Sequence, residues 1–309
     1  MSWDRVERVL GKENLKHLSE SRVAVVGLGS GGGYVALSLA MSGVGQFVLV
    51  DDDTLEETNV VRHVADRRYL GWNKAQAVAD LIRHRSPSAR IEVHEGRIEQ
   101  HLDALDGIDL LIVGVDGEQS KYSINQACLE RSVTAIYAGV YERGEGGDVV
   151  VIRPYDGPCY ACWAAELREG LFQPTASENL DYGMVNESGT LEAEPGLWVH
   201  VAKVASVQVD FALNELLADS PLRPSYPANT LIIANSSMEI VDGEISPPHS
   251  SLWVNIARDP NCLVCGNRVS AAAVDADTAH LTEVQQAASS LSLDDLAGDS
   301  GISIESQKH

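Results

Sequence analysis

The stretch RVAVVGLGSGGGYVALSLAMSGVGQFVLVD, from Arg22 to Asp51, contains the elements that decide the fold. A short apolar run ends directly at a glycine-rich turn. A segment with helical spacing follows from Tyr34 to Met41, and a second apolar run begins at Phe47. A strand, a glycine loop, a helix and a strand in this order open a doubly wound sheet. We therefore predict an α/β fold with a mainly parallel sheet.

The glycines of this stretch form the pattern Gly27-x-Gly29-x-x-Gly32 between a predicted strand and a predicted helix. Glycines allow a tight turn and a close approach of the backbone to a phosphate, and the helix N-terminus supplies unpaired N–H groups. Asp51 ends the next strand, where a carboxylate reaches ribose hydroxyls. The sequence predicts a Rossmann-like nucleotide site. Two alternatives stay open: the glycines could serve helix–sheet packing alone, and NAD-binding domains share the fingerprint.

The remaining pattern extends the alternation of strands and helices to about residue 152. Helices are predicted over 3–18, with a break at Gly11, and over 73–85 and 119–131. Strands are predicted over 91–94, 109–113, 133–138 and 148–152. This alternation predicts buried parallel strands. Farther along the chain, the segment 166–196 shows no hydrophobic periodicity. The pattern over 197–217 predicts a helix, although a strand stays possible there, and the pattern over 230–243 predicts late strands.

Composition divides the chain into two parts. Residues 1–268 carry the predicted folded domain. Residues 269–309 are rich in alanine, serine and aspartate and contain few large apolar side chains. That composition is typical of a flexible, acidic tail, for which one weak helix is predicted near 281–290.

The net charge argues against several classes of partner. The 309 residues include 23 basic and 45 acidic side chains, which gives a formal net charge of −22. Such acidity opposes binding to nucleic acid or to an anionic membrane. The sequence also lacks a run of about 18 apolar residues and the start of a secretory signal, so we predict a cytoplasmic location.

Charged residues downstream of Asp51 favour ATP over NAD as the nucleotide. Arg62 and Lys74 could place cations on a triphosphate, and Asp116 follows the strand predicted over 109–113. Nucleotidyl transfer needs such cations and a carboxylate that holds Mg²⁺, whereas hydride transfer needs neither. Each residue alone could be a solvated charge, but their joint order after a glycine loop predicts a triphosphate site.

The order of these motifs along the chain resembles that of the ThiF/MoeB/HesA family, whose members are relatives of the ubiquitin-activating enzymes. The resemblance covers about residues 3–268. It rests on four motifs, which are the glycine pattern, Leu49-Val50-Asp51 through Arg62-His63, Gly71 to Ala75, and Val115-Asp116. It implies an adenylyltransferase that uses ATP.

The resemblance also implies a role for each matching carboxylate. Asp51 would bind the ribose of ATP, and Asp53 belongs to the same acidic motif of the nucleotide site. Asp116 would coordinate Mg²⁺. Each role is expected because the residue occupies the matching position of a family motif.

For the phosphates, the resemblance implies contacts from Asn59, Arg62 and Lys74. Arg5 matches an N-terminal arginine that reaches the phosphates in the neighbouring subunit's site. The resemblance therefore implies a homodimer whose two sites are completed in trans.

Three positions depart from the family pattern. His63 replaces the usual glutamine, and Lys121 stands where an arginine is common. The family's Asp-Asn after the later strand is Asp116-Gly117 here, so one polar contact is missing.

Two Cys-x-x-Cys pairs, Cys159/Cys162 and Cys262/Cys265, predict a structural metal site. Each pair brings two thiolates onto one tight turn, and two such turns complete a closed tetrahedral zinc site. A redox role is the alternative, but it would need a thioredoxin-like context, and the presence of two pairs argues against it. The family often carries the same two pairs.

The fifth cysteine, Cys128, lies on a predicted helix and is interpreted as a buried, small apolar side chain. Family members that form a thioester carry a cysteine in the loop after the first zinc pair. This sequence has no cysteine between Cys162 and Cys262. The chain is therefore expected to stop at the adenylate, unless a cysteine elsewhere or a partner takes over. The 166–196 segment is expected to lie across the extended tail of the substrate, because an acyl-adenylate is prone to hydrolysis.

By resemblance, the predicted substrate is the C-terminal glycine of a ubiquitin-like or sulfur-carrier protein. Adenylation of a peptide or of a carboxylate borne by tRNA is a close alternative, although the negative charge speaks against tRNA. Two other classes remain open. An NAD(P)-dependent oxidoreductase would leave the cations and cysteines unexplained, and the last alternative is a non-catalytic nucleotide-binding scaffold.

Overall fold

The computed structural model describes residues 2–171, 196–222, 224–241 and 243–266. Its helices are α1 (Asp4–Leu10), α2 (Lys12–Glu20), α3 (Ser30–Ser42), α4 (Lys74–Arg85), α5 (Glu118–Arg131), α6 (Tyr160–Leu171) and α7 (Trp198–Leu216). Its strands are β1 (Arg22–Val26), β2 (Gln46–Asp51), β3 (Arg90–Glu95), β4 (Leu110–Val113), β5 (Ala135–Val140), β6 (Gly146–Ile152), β7 (Thr230–Ala234), β8 (Met238–Val241), β9 (Glu244–Ser246) and β10 (Ser251–Val254).

Eight of these strands form one sheet in the order β10-β7-β6-β5-β4-β1-β2-β3. The five strands from β5 to β3 are mutually parallel, which confirms the predicted doubly wound, mainly parallel sheet. The remaining pairs, β5–β6, β6–β7 and β7–β10, are antiparallel. The prediction that 148–152 is a parallel strand is therefore wrong. A turn over 141–145 joins β5 to β6, and a parallel crossover needs about a dozen residues or more.

Both faces of the sheet are covered by helices, which explains why its central strands are almost continuously apolar. Val23 and Val25 of β1 belong to the core cluster that contains residues of α3, α4 and α7. Ala24 and Val26 point to the opposite face, into a second cluster with residues of α5 and α6. Alternate side chains of one strand therefore fix helices on the two sides of the sheet.

The predicted helices have the expected positions, with two adjustments. Gly11 has φ +81° and divides the predicted 3–18 helix into α1 and α2. Helix α3 begins at Ser30, four residues before the predicted start, because its first turn is built from the glycine loop. The ambiguous 197–217 segment is the helix α7, and it packs against α3 with Val204, Val209 and Ala212 buried.

Some predictions concern the less regular parts of the chain. The start of the 166–196 segment is helical because α6 continues to Leu171, and residues 172–195 lie outside the described residues. So do the tail over 269–309 and its predicted helix near 281–290. Within the described ranges, every helix is too short or too polar to cross a membrane.

Candidate functional site

Most of the residues predicted for the nucleotide site lie where several parallel strands end. Strands β1, β2, β4 and β5 run in the same direction, so their carboxyl ends lie at one edge of the sheet. The chain passes from β1 to β2 on one side, whereas β4 lies on the other side of β1. A crevice opens at such a topological switch point, and open α/β sheets bind their ligands there.

The glycine loop lines this crevice. The space around an added Cβ differs among its three motif glycines. Gly27 has φ +86°, and an added Cβ would lie 2.6 Å from the carbonyl carbon of Gly114. A Cβ on Gly32 would lie 1.8 Å from the carbonyl oxygen of Gly27. A Cβ on Gly29, in contrast, would meet no described atom within 4 Å. Packing explains Gly27 and Gly32, while Gly29 leaves open space for a ligand.

Asp51 and His63 hold the loop from two sides through the backbone of Leu28. The Asp51 carboxylate accepts a hydrogen bond from the N–H of Leu28, and a second one from the N–H of Asp53 at 2.8 Å. His63 Nδ1 accepts from the N–H of Ala65 at 2.9 Å, so Nε2 carries the proton and donates to the Leu28 carbonyl at 2.7 Å. Burial raises the pKa of Asp51 and lowers the pKa of His63.

A cavity of about 580 Å³, here called the Asp51 cavity, lies beside the loop and is lined by Gly27, Gly29, Asp51, Asp53, Lys74 and Asp116 among others. Lys74 Nζ lies 2.6 Å from Asp53 Oδ2, and the lysine side chain is 12% exposed. Asn73 caps the start of α4 because its side-chain oxygen accepts from the N–H of Ala75 at 2.9 Å. Its amide N–H groups donate to the carbonyls of Asp51 and Asp53. The cavity is thus lined by the ammonium group of Lys74 and by carboxylates that can accept hydrogen bonds.

A second cavity of about 510 Å³, here called the Arg62 cavity, adjoins the first and is lined by Gly29, Gly32, Arg62, Asp116, Lys121 and Tyr141 among others. Arg62 ends the 3₁₀ turn Glu57–Arg62 and is half-buried. The two cavities share Gly29, Gly114, Val115 and Asp116. The exposed Asp116 carboxylate therefore lies at their junction, with Lys74 on one side and Arg62 on the other.

Two predicted residues lie elsewhere in the described structure. The Asn59 side chain accepts a hydrogen bond from the N–H of Glu56 at 3.0 Å and thereby caps the 3₁₀ turn that ends at Arg62. Arg5 is exposed on α1. Neither lines the Asp51 or the Arg62 cavity as the described residues form them. Their phosphate contacts stay predictions, and that of Arg5 concerns a partner subunit.

The four paired cysteines come together in one cluster, next to Leu129 of α5. Their sulfur atoms all lie within 4.8 Å of one another, with Cys159–Cys162 and Cys159–Cys262 at 3.8 Å and Cys162–Cys265 at 3.4 Å. Zinc–thiolate bonds of about 2.3 Å in a tetrahedron require sulfur separations of about 3.8 Å. The cluster therefore has the dimensions to hold a zinc ion.

Residues 4–264 match the ThiF family along most of the chain. This chain belongs to the ThiF family. The relationship confirms the resemblance inferred from the glycine, acidic and Gly71-to-Ala75 motifs.

Among sequence relatives of this ThiF-family chain is ubiquitin-like modifier-activating enzyme 5 of Drosophila persimilis, 29% identical over 62% of this chain and 53% of the relative. The SAMP-activating enzyme E1 of Haloferax volcanii is 31% identical over 52% of this chain and 59% of the relative. The chain thus spans little more than half the length of these relatives.

Among solved structures, the ThiF-family fold resembles that of E. coli MccB crystallised with ATP. The TM-score is 0.61 at 20% sequence identity, over 82% of this chain and 69% of MccB. The structural similarity covers most of the fold and is not limited to the sequence motifs.

Several residues that shape the ThiF-family site were not singled out from the sequence. Asn73 carries the usual N-cap signal before a helix, so its position could have been predicted. Gln208 on α7 donates to the carbonyls of Val113 and Ile136 at 3.2 and 2.9 Å, and ties the helix to β4 and β5. A buried glutamine in an apolar helix carries no local signal for such a contact, because its partners are distant in sequence.

The structure confirms the prediction that Cys128 is a buried, apolar core residue of the ThiF-family domain. The side chain is 2% exposed, and burial raises the pKa of its thiol to about 12. A thiol in that state is a poor nucleophile at neutral pH.

A buried carboxylate, Asp148 on β6, is a further feature of the site that was not predicted. Asp148 is 3% exposed, and burial raises its pKa to about 7. The neighbouring Tyr141 hydroxyl and Lys121 ammonium partly offset this effect.

Because the pKa of Asp148 is higher in the folded than in the unfolded chain, its protonation stabilises the fold. We expect this contribution to be present at low pH and to disappear as the pH rises from about 4 to about 7, with a loss of a few kcal/mol. Asp148→Asn should remove that part of the pH dependence. Urea unfolding at pH 5 and pH 8 would measure it, and an equal pH dependence in both proteins would contradict the expectation.

Proposed function

We propose that this chain adenylylates a substrate carboxylate with ATP. A carboxylate oxygen attacks the α-phosphorus of ATP, the bond from that phosphorus to the bridging oxygen breaks, and pyrophosphate leaves with both electrons of that bond. The product is an acyl-adenylate. The observation that carries the proposal is the junction at Gly29 and Asp116, where a cavity containing Lys74 meets a cavity containing Arg62.

In the proposed arrangement the nucleoside occupies the Asp51 cavity. The Asp51 carboxylate can still accept hydrogen bonds from ribose hydroxyls, since its two oxygens have more lone pairs than the two backbone N–H groups use. The open space over Gly29 accommodates a phosphate, because a side chain at that position would fill it. The helix α3 begins at Ser30 and directs its N-terminal N–H groups toward the same place.

Charge neutralisation is the main task of the remaining residues. Lys74 and Arg62 would stabilise the charge that builds up on the phosphates from the two sides of the junction. Asp116 would hold Mg²⁺, since an exposed carboxylate is a ligand that this ion prefers. Bound Mg²⁺ would neutralise charge on the phosphates.

No protein nucleophile or general base is needed in this reaction. A carboxylate is already ionised at neutral pH, so the protein contributes by positioning it against the α-phosphorus. The Arg62 cavity is the route by which the carboxylate would approach, because it reaches the junction from the side opposite to the nucleoside.

For the substrate, we propose the C-terminal glycine of a ubiquitin-like or sulfur-carrier protein. The names of the relatives, a ubiquitin-like modifier-activating enzyme and a SAMP-activating enzyme, support this class. The sequence between Cys162 and Cys262 offers no thioester cysteine, so the chain would stop at the adenylate. A homodimer in which Arg5 reaches the partner's site belongs to the same proposal.

Pyrophosphate exchange into ATP tests the proposal directly. The full chain, ATP, Mg²⁺ and labelled pyrophosphate are incubated with candidate ubiquitin-like or sulfur-carrier proteins. Exchange should depend on an intact C-terminal carboxylate, and mass spectrometry should detect an added adenylyl group on that terminus. Each candidate with an amidated C-terminus provides the matched control.

The outcomes separate the remaining alternatives. Binding of NAD with no binding of ATP by calorimetry would contradict the proposal and favour an oxidoreductase. If the chain binds ATP and Mg²⁺ but catalyses no pyrophosphate exchange with any protein, peptide or tRNA substrate, the proposed adenylation is contradicted. That result would favour a nucleotide-binding scaffold.

A further inference from the structure

A third cavity, of about 150 Å³, opens next to the Arg62 cavity and is used by none of the steps above. We call it the Asp148 cavity. It shares Lys121, Ala138, Gly139 and Tyr141 with the Arg62 cavity. A substrate that reached the junction through the Arg62 cavity would therefore pass residues that the two cavities share. Its volume fits the end of one side chain.

The Asp148 cavity contains polar atoms that lack partners among the described residues. Oδ1 of Asp148 and the hydroxyl of Tyr141 are both buried and have no hydrogen-bond partner in that part of the chain. The Tyr141 hydroxyl lies close enough to the Asp148 carboxylate to lower its pKa by a side-chain interaction, although neither the hydroxyl nor Oδ1 has a partner with full hydrogen-bond geometry among the described residues. An unsatisfied buried polar group is destabilising, so these atoms point to an occupant that donates hydrogen bonds.

Gly139 keeps the Asp148 carboxylate accessible from the cavity. The two residues face each other across the antiparallel pair β5–β6. An added Cβ on Gly139 would lie 3.4 Å from both carboxylate oxygens. Any side chain at position 139 would therefore cover the carboxylate. Glycine therefore leaves the carboxylate open to the cavity.

Among the described residues, two carboxylates and one ammonium group line the cavity. The carboxylates are those of Asp148 and Glu118, and the ammonium group is that of Lys121. Lys121 Nζ lies 3.2 Å from Glu118 Oε1, and the Tyr160 hydroxyl also donates to Glu118 at 3.1 Å. Lys121 thus pairs with Glu118, and no cation among the described residues lies within hydrogen-bond distance of Asp148 Oδ1.

Aromatic rings form much of the remaining wall. Tyr137 and Tyr160 are stacked with ring centroids 4.6 Å apart, and the Trp163 ring lies 5.6 Å from Tyr160. The indole N–H of Trp163 already donates to Thr230 Oγ1. Aromatic rings attract cations electrostatically and tolerate the apolar stem of a long side chain.

We propose that the Asp148 cavity binds the cationic end of a substrate side chain, an ammonium or guanidinium group, a few residues before the carboxylate that is activated. The cation donates to Asp148 Oδ1 and lies against the aromatic wall. This inference rests on the proposed function because it names a feature of that substrate. It also makes Asp148 a residue that determines specificity, with no part in the chemical step.

The raised pKa of Asp148 gives the interaction a characteristic pH dependence. With the cavity empty, the carboxylate is partly protonated near pH 7, whereas a bound cation favours the ionised form. The preference for a cation should therefore increase from pH 6 to pH 8. The other charged groups that line the cavity are the ion-paired Lys121 and Glu118. Burial raises the pKa values of Tyr137 and Tyr141, so both stay neutral over this range.

Peptides that end in Gly-Gly and carry one arginine, or its neutral isostere citrulline, at successive earlier positions provide the test. Binding to the full chain is measured by calorimetry without ATP. At one position the arginine peptide should bind roughly ten- to hundredfold more tightly, as expected for a hydrogen bond between two charged groups. Asp148→Asn should reduce this ratio to near one.

Two further variants separate the inference from general damage. Glu142→Gln removes a nearby exposed carboxylate and should leave the ratio unchanged. Gly139→Ala keeps the charge of Asp148 but covers it, and should lower the ratio. Circular dichroism confirms that each variant folds.

The inference fails if arginine is preferred at no position, or if Asp148→Asn retains the wild-type ratio. If the wild-type chain catalyses pyrophosphate exchange but shows no arginine preference, the cation site alone is contradicted. Absence of exchange while the arginine preference persists contradicts the proposed adenylation alone.

Discussion

Replacing Lys74 or Asp116 with alanine is expected to abolish pyrophosphate exchange, with a fall of at least about 10²-fold. Lys74 is largely buried and ion-paired with Asp53, so its charge is held in place before the nucleotide arrives. Asp116 lies at the junction of the two cavities, where the proposed magnesium site and the reacting phosphorus meet. Removal of either group leaves phosphate charge uncompensated in a partly desolvated site.

Matched variants show whether the loss is specific. Lys16→Ala removes an exposed lysine of α2 that is paired with Glu20, and Asp103→Ala removes an exposed carboxylate that lines neither the Asp51 nor the Arg62 cavity. Both controls should retain wild-type exchange. All four variants should unfold at temperatures similar to the wild type. Wild-type exchange in both Lys74→Ala and Asp116→Ala would refute the assignment of the site.

Loss of metal from the four-cysteine cluster is expected to destabilise the whole domain by more than about 4 kcal/mol, which corresponds to a fall in Tm of roughly 10 °C. The reason is topological. Cys159 and Cys162 stand at the start of α6, and Cys262 and Cys265 come from the segment after β10. An ion shared by both pairs joins two distant parts of the chain, and its binding free energy becomes folding free energy.

Elemental analysis should find about one zinc per chain, and Cys262→Ser with Cys265→Ser should lower both zinc content and Tm. Cys128→Ser is the matched control, because it changes a buried cysteine outside the cluster and should leave the zinc content unchanged. A chain that is free of metal and equally stable would contradict this expectation.

The glycine loop illustrates how much the sequence could predict about the site. Its position between an apolar run and a helix is a local signal, and so is Asp51 at the end of the next run. The individual tasks of the glycines were not predictable, since Gly27 is required by its approach to Gly114, which lies 87 residues farther along the chain. The sequence identified His63 as a departure from the family pattern, whereas the structure shows that its side chain donates to the Leu28 carbonyl.

Strand direction shows a similar limit. The apolar run over 148–152 predicted a strand, but its direction depended on the length of the connection after β5. The antiparallel pairing has a consequence for the site. It brings the beginning of β6, and with it Asp148, to the same edge as the carboxyl end of β5.

By itself, the amino-acid sequence determined the doubly wound α/β fold, the ThiF relationship, the cations near the glycine loop and the two cysteine pairs. These features depend on short-range spacing, which hydrophobic periodicity and motif chemistry record directly. Only the tertiary structure decided that Lys74 and Arg62 lie in separate cavities, that Asp116 lies between them, and that Asp148 faces a third. Such relations depend on strand order and on packing between segments distant along the chain, for which no local pattern exists.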